Sequence, residues 1–385
     1  MSVSSSSVFH CSNRIRIFWS IITIHLVLAL LLLVPLTGLF HKEPVENVFV
    51  GVEIGYDTVN EIVRFVEKVE DYVNLIIIGS LDITTNATKL TTVCDYLYSK
   101  DLYFIPFMFL TQFLEKPDFF QFAKEKWGKK FLGIYISDEP GGRQVDSFAP
   151  RAVYGAKNYA DAATKYIRTL NQGFEHFFSN FVKPINVTTF TSDYALYWFD
   201  YKAGYDAVFV EFGWNYSRQL HVALGRGAAE VQNKEWGVII TWTFQNPPYI
   251  ESAEELYKDL VLAYNNGAKY IVVFNYPTNL TDYGILSEEH LNSLKKFWTY
   301  TNVFPQKMKT SSVAFVLPEN YGYGFRGPQD KIWGIWGPDE LSEKLWNDTN
   351  YLLVTFDKQL DLVYDEREFN LEQRYKKLFY WTDTH

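Results

Sequence analysis

Between residues 48 and 300 the chain repeats one unit: a short run of Val, Ile and Phe, then a stretch with apolar positions every three or four residues. The runs predict strands at Val48–Ile54, Val73–Ile78, Leu102–Phe107, Phe131–Ser137, Val187–Thr191, Ala207–Glu211, Trp236–Thr241 and Tyr270–Phe274. Helical spacing falls between them. It is clearest over Val59–Glu70, where Ile62, Val63, Val66 and Val69 mark one face. It recurs over Leu90–Ser99, Asp118–Trp127, Ala160–Phe181, Ser217–Asn233, Ala253–Asn266 and Glu288–Thr299. Ser192–Tyr205 is short and aromatic and carries the weakest helical pattern.

Strands alternating with helices predict a parallel sheet. Eight such units over 48–300 match the roughly 250 residues of a (β/α)8 TIM barrel, and α/β is the expected fold class. A doubly wound open sheet is the alternative. It usually has fewer strands and a Gly-rich phosphate loop after the first, whereas here the first strand runs into EIGYDT. From 309 to 385 the pattern changes to strand, helix, strand, strand (SSVAFVL, ELSEKLWNDTNYLLVTF, LDLVYDE, YKKLFYW). This predicts a small α/β appendage, a Rossmann-like fragment too short for a nucleotide-binding domain. Its loop Tyr321–Trp336 is dense in rings and glycines, fit either to reach over a barrel mouth or to plug a packing gap.

The first residues have another character. Ile15–Phe40 holds roughly 26 residues without an acidic side chain, enough to cross a hydrocarbon core of roughly 30 Å. Arg14 and Arg16 precede it and Glu43 and Glu46 follow, which predicts a cytoplasmic N-terminus at 1–14, a signal-anchor at 15–40, a linker at 41–47 and the barrel outside. Secretion after signal cleavage is the competing reading, but LTGLFHKEP offers no good small-x-small site. Cys11 and Cys94 fall on opposite sides of that membrane, so no disulfide is implied. Sequons at Asn86, Asn186, Asn215, Asn279 and Asn347 agree with a glycoprotein outside the cell.

Composition changes the picture in two ways. Hydrophobic content of 48% supports a full core, but aromatic content of 18% exceeds what a core needs, and flat rings with polar tips suit stacking on sugars. A net charge of −9 without a basic stripe argues against nucleic acid as a partner. The spacing suggests no metal site, because His176, His221 and His290 fall on predicted helices. No cofactor is implied.

In a TIM barrel the chemistry sits at the C-terminal ends of the strands, and strand alternation selects the side chains that reach it. In GIYISDEPGG, Ile134 and Ile136 suit the helix side, which turns Tyr135, Ser137 and, at the rim, Glu139 inward. The same parity sets Asp138 off the lumen, as a support for Glu139. In AVFVEF, Phe209 and Glu211 face in; in VFVGVEI, Gly51 and Glu53 do. Asn275, ending the eighth strand, is expected to join them. Carboxylates crowded in a low-dielectric mouth repel, so one keeps its proton near neutral pH. A protonated carboxyl beside an ionised one is what glycosidic bond cleavage needs. Glu139 and Glu211 are the candidate catalytic pair. Glu53, Asp138 and Asn275 are candidate substrate ligands, with Trp214, Trp242 and Tyr276 as stacking platforms.

SDEPGG at the end of the fourth strand resembles the Asn-Glu-Pro motif of clan-A glycoside hydrolases, and the α/β tail resembles that of some β-galactosidases of this clan. The resemblance implies Glu139 as acid/base, with Asp138 in the place of the motif's Asn, and a carbohydrate substrate. The clan carries its nucleophile Glu at the end of strand seven, where this chain has IITWTFQNPP. The nearest inward carboxylate is Glu211, one strand earlier, a fourth-and-sixth pairing similar to that of α-galactosidase-type barrels. Glu251 lies further on. Either Glu211 completes the pair or the barrel binds sugar without cleaving it.

Overall fold

The computed structural model describes residues 48–108, 119–146, 151–179, 187–306 and 311–383. The expected anchor at 15–40, its flanking charges, Cys11 and the sequon at Asn186 lie outside these residues. Among the described residues no helix is long and apolar enough to cross a membrane.

Eight parallel strands close into a barrel in sequence order: β1 Phe49–Ile54, β2 Leu75–Ile78, β3 Tyr103–Met108, β4 Gly133–Ile136, β5 Thr188–Asp193, β6 Ala207–Phe212, β7 Glu235–Ile240 and β8 Tyr270–Asn275. The ring closes where β1 pairs β8, with Glu53 beside Phe274 and Ile54 beside Asn275. Side chains divide between two apolar clusters. Phe49, Ile77, Tyr135, Phe190, Phe209 and Val272 fill the lumen. Val50, Val52, Ile134, Ile136, Val208 and Val210 belong to the layer under the helices. The two-residue period of a strand produces this division.

The helices are α1 Val59–Val69, α2 Leu81–Thr84, α3 Ala87–Ser99, α4 Phe119–Trp127, α5 Pro140–Asp146, α6 Tyr159–Ser179, α7 Tyr197–Ala203, α8 Arg218–Gln232, α9 Ala253–Asn265 and α10 Glu288–Val303. In α1 the buried face is Ile62, Phe65, Val66 and Val69, so Phe65 rather than Val63 completes the stripe. Thr58 caps it, its hydroxyl accepting from Glu61 N at 3.3 Å. The weakly patterned stretch after β5 does hold a helix, α7. It is buried on nearly every side, which is why no amphipathic period shows.

The tail forms a parallel sheet of β9 Val313–Leu317, β10 Leu360–Tyr364 and β11 Lys377–Tyr380, with β9 central, plus α11 Glu340–Phe356 and α12 Leu371–Arg374. It packs on α8. Arg226 there, almost wholly buried, donates from Nε to Asp361 Oδ1 (2.8 Å) and from Nη2 to Leu360 O (2.9 Å). Ser311 and Tyr375 also donate to the Asp361 carboxylate, both at 3.0 Å. Gly227 lets the backbones meet, since a Cβ there would stand 2.6 Å from Leu362 O.

The loop Tyr321–Trp336 is a packing plug rather than a cover for the mouth. Trp333 is fully buried, 4.6 Å from the ring of Phe199 and 5.6 Å from that of Tyr166. Its carbonyl accepts from Gln144 Nε2 on α5 at 2.8 Å, and Arg326 pairs with both Asp330 and Asp146. The loop therefore braces α5 from behind. The four described sequon asparagines, Asn86, Asn215, Asn279 and Asn347, are all exposed.

Candidate active site

The turn from β4 into α5 sets the site. β4 ends at Ile136, and Ser137 and Glu139 both adopt left-handed backbone (φ 57° and 51°). These two residues break the strand's alternation, so Asp138 is not turned away as parity expects. Both Asp138 and Glu139 line the cavity. Pro140 then opens α5 with the fixed φ that a first helical turn accepts. Gly141 and Gly142 allow the end of β5 to press against the turn: a Cβ on Gly142 would stand 2.2 Å from the Tyr194 ring. That contact delivers Asp193. Its carboxylate accepts from Gly141 N (2.5 Å), Gly142 N (2.7 Å), Tyr194 N (2.8 Å) and Ala195 N (3.1 Å), locking two turns to one anion. Glu139 N donates to Ser192 O at 3.1 Å, completing the clamp.

The barrel mouth encloses a cavity of about 380 Å³. Glu53, Asp138, Glu139 and Glu211 reach it from three strand ends, as do the rings of Phe107, Trp242, Phe274 and Tyr276. Tyr135 donates from Oη to Asp138 Oδ1 (2.7 Å), and Ser192 donates from Oγ to Glu211 Oε1 (2.6 Å). The two hydroxyls are 2.7 Å apart, so one polar chain joins Asp138 to Glu211. Glu139 and Glu211 line the same cavity, and each shifts the titration of the other.

Burial dominates the electrostatics. It pushes Glu139 up to about 8, helped by the charges of Asp138 and Asp193 and opposed by the hydrogen bond to Glu211 and by Arg143. Burial, then the charges of Glu139 and Asp138, hold Glu211 well above the usual carboxylate range. Glu53 is pushed up to about 8 by burial and then by Asp138. Two buried carboxyls that repel each other titrate as a pair and keep one proton near neutral pH. The pair can offer a proton to one atom and a carboxylate to another.

Several expected residues lie elsewhere. On β8 the alternation sends Tyr270, Val272 and Phe274 into the lumen, so Asn275 points to the helix layer; its Nδ2 donates to Tyr56 Oη at 2.9 Å, and Phe274 holds the cavity position instead. Trp214 does not line the cavity; its N–H donates to Trp242 O at 2.7 Å, and only Trp242 faces in. Glu251 is buried away from the mouth, bound to Arg218 Nη2 at 3.2 Å. The cavity wall at the end of β7 is Thr241 and Trp242 and bears no carboxylate. Ser192 and Asp193 were not expected, because the pattern ends the fifth strand at Thr191 and gives Ser192 onward to the weakly helical stretch, whereas β5 runs to Asp193. Extending the strand's parity by one residue finds Ser192. Asp57 and Asp82, at the rim after β1 and β2, were missed as well. Among the described residues no group of three or more His, Cys, Asp or Glu is placed to hold a metal ion.

No protein-family model and no curated protein sequence matches this chain. Solved structures do. α-L-Fucosidase isoenzyme 2 from Paenibacillus thiaminolyticus aligns over 86% of this chain and 59% of its own, with 11% identity and a TM-score of 0.53. Saccharomyces cerevisiae Gas2p, in complex with laminaritetraose and laminaripentaose, aligns over 70% of this chain and 66% of its own (13% identity, TM-score 0.41). An endoglucanase aligns over 65% and 97% (10% identity, TM-score 0.41). The chain thus spans about three-fifths of the fucosidase. At these identities the likeness is one of fold: a closed (β/α)8 barrel of the kind on which glycoside hydrolases are built.

Proposed function

We propose that this protein is a glycoside hydrolase cleaving O-glycosidic bonds, held outside the cytoplasm by an N-terminal membrane anchor. The observation that carries the reading is that Glu139 and Glu211, two mutually interacting carboxyls, line one cavity at the barrel mouth walled by rings. A pair of mutually interacting carboxyls can serve a retaining mechanism, in which one acts as nucleophile and the other as acid and then base. In this scheme the Glu211 carboxylate attacks the anomeric carbon while Glu139 gives its proton to the departing oxygen. Water, deprotonated by Glu139, then opens the glycosyl ester and frees Glu211. Asp138 and Glu53 hold sugar hydroxyls, and Trp242 and Tyr276 stack on ring faces. No cofactor enters.

The test is turnover of aryl glycosides and oligosaccharides by the full chain, with NMR of the first-formed anomer. Glu139→Gln and Glu211→Gln should each lose at least roughly a hundredfold in turnover, and the product should retain configuration. Unchanged turnover in either variant refutes the assignment. A second reading, a surface protein that binds carbohydrate without cleaving it, draws on the missing carboxylate at the end of β7. Glycan binding without released sugar would favour it. Reporter fusions at the two ends of residues 15–40 test the anchor: cytoplasmic before, outside after.

A further inference from the structure

Among the described residues the ionisable groups other than tyrosines that line the cavity are all carboxyls. Glu53, Asp57, Asp82, Asp138, Glu139 and Glu211 line it, and among the described residues no Lys, Arg or His does. Among the described residues, a substituent bearing carboxylate, sulfate or phosphate meets no counter-ion there. Several of these carboxyls are already engaged. Asp57 accepts from Ser80 Oγ at 2.8 Å, Asp138 from Tyr135, and Glu211 from Ser192.

Glu53 differs from them. The residue is 8% exposed, and among the described residues no hydrogen bond or ion pair engages its carboxyl. It lies close over Gly79, where a Cβ would fall 2.6 Å from its Oε1, so only glycine leaves the carboxyl this place. Because the residue lines the cavity and no described protein group donates to its carboxyl, a ligand that enters can supply the donor. The neighbour across the β1–β8 ladder is Phe274, whose ring also lines the cavity, with Trp242 5.4 Å from it and Tyr276 6.3 Å from it. An ammonium group brought beside this carboxyl favours its ionised form, so that charge on one side and the ring quadrupoles on the other hold the amine.

Resting on the hydrolase reading above, we propose that the site selects amino sugars, seating a protonated amine on Glu53 against Phe274, and rejects saccharides that carry acidic groups. The experiment is calorimetric titration of the full chain with four β-1,4-linked tetrasaccharides, built of glucosamine, N-acetylglucosamine, glucose and glucuronic acid. The glucosamine oligomer should bind at least roughly tenfold more tightly than the N-acetylated and glucose oligomers, and the glucuronate oligomer should not bind. Glu53→Gln should bring the glucosamine-to-glucose affinity ratio close to one. Should that variant not fold, the series on the parent protein decides alone. Equal binding of the glucosamine and glucose oligomers, or preference for glucuronate, overturns the proposal. Amine-selective binding without released sugar leaves it standing and defeats the hydrolase reading; turnover of neutral glycosides without amine preference does the reverse.

Discussion

Asp193 reaches no cavity, yet the position of Glu139 depends on it. Removing its side chain in Asp193→Ala leaves four N–H groups, of Gly141, Gly142, Tyr194 and Ala195, without their acceptor. Each buried orphan donor costs about 1–3 kcal/mol. Even if relaxation recovers two of them, the loss is about 4 kcal/mol. Asp193→Asn is gentler. Its remaining oxygen can keep the three donors now on Oδ1, and only Gly141 N then faces an amide, a loss of about 2 kcal/mol. At about 2 °C per kcal/mol for a chain of this size, melting should fall by about 8 °C in the alanine variant and about 4 °C in the asparagine variant. Displacing Glu139 by an ångström costs turnover about a hundredfold, so activity should fall with little change in KM. Scanning calorimetry and glycoside turnover on the full chain measure both. An alanine variant that melts and turns over like the parent refutes the clamp.

Other outcomes follow from the same structure. Glu139 and Glu53 are each held up to about 8, so the native state keeps protons that the unfolded chain releases near the ordinary carboxylate value; melting temperature should fall from pH 5 to pH 8, and Glu139→Gln should flatten that slope. Turnover, if Glu139 is the acid, should decline as pH rises through about 8; a profile flat to pH 10 counts against it. Arg226→Ala strands Asp361 in the interior and should cost about 3–5 kcal/mol in unfolding free energy, read by denaturant titration. Trp242→Ala should weaken saccharide binding by about 1 kcal/mol, measured calorimetrically, without lowering the melting temperature by as much as the Asp193 variants do.

The barrel was legible because its strands obey a strict period. In β1 and β6, Val50, Val52, Val208 and Val210 on one parity and Glu53 and Glu211 on the other announce both layers at once. Legibility ended where the period ended. Ser137 and Glu139 turn left-handed past β4, and no count of alternate residues locates Asp138 beyond that point. Asn275 shows the opposite failure. The period held through β8, and the polar end residue belonged to the wrong parity for the lumen. Ser192 and Asp193 fell outside the predicted fifth strand because polar side chains seldom end a buried strand; here each is satisfied, by Glu211 and by four N–H groups. Trp214 and Trp242 are alike in sequence setting, and only packing tells which ring faces the cavity.

The bond from Gln144 to the carbonyl of Trp333 joins residues 189 positions apart. During synthesis the eight barrel strands are complete by Asn275, but the plug that braces α5 has not yet been made. A ribosome-bound chain can therefore close its barrel while the turn carrying Glu139 still lacks its backing. Competence of the mouth thus waits on residues 321–336, which emerge well after the barrel they brace.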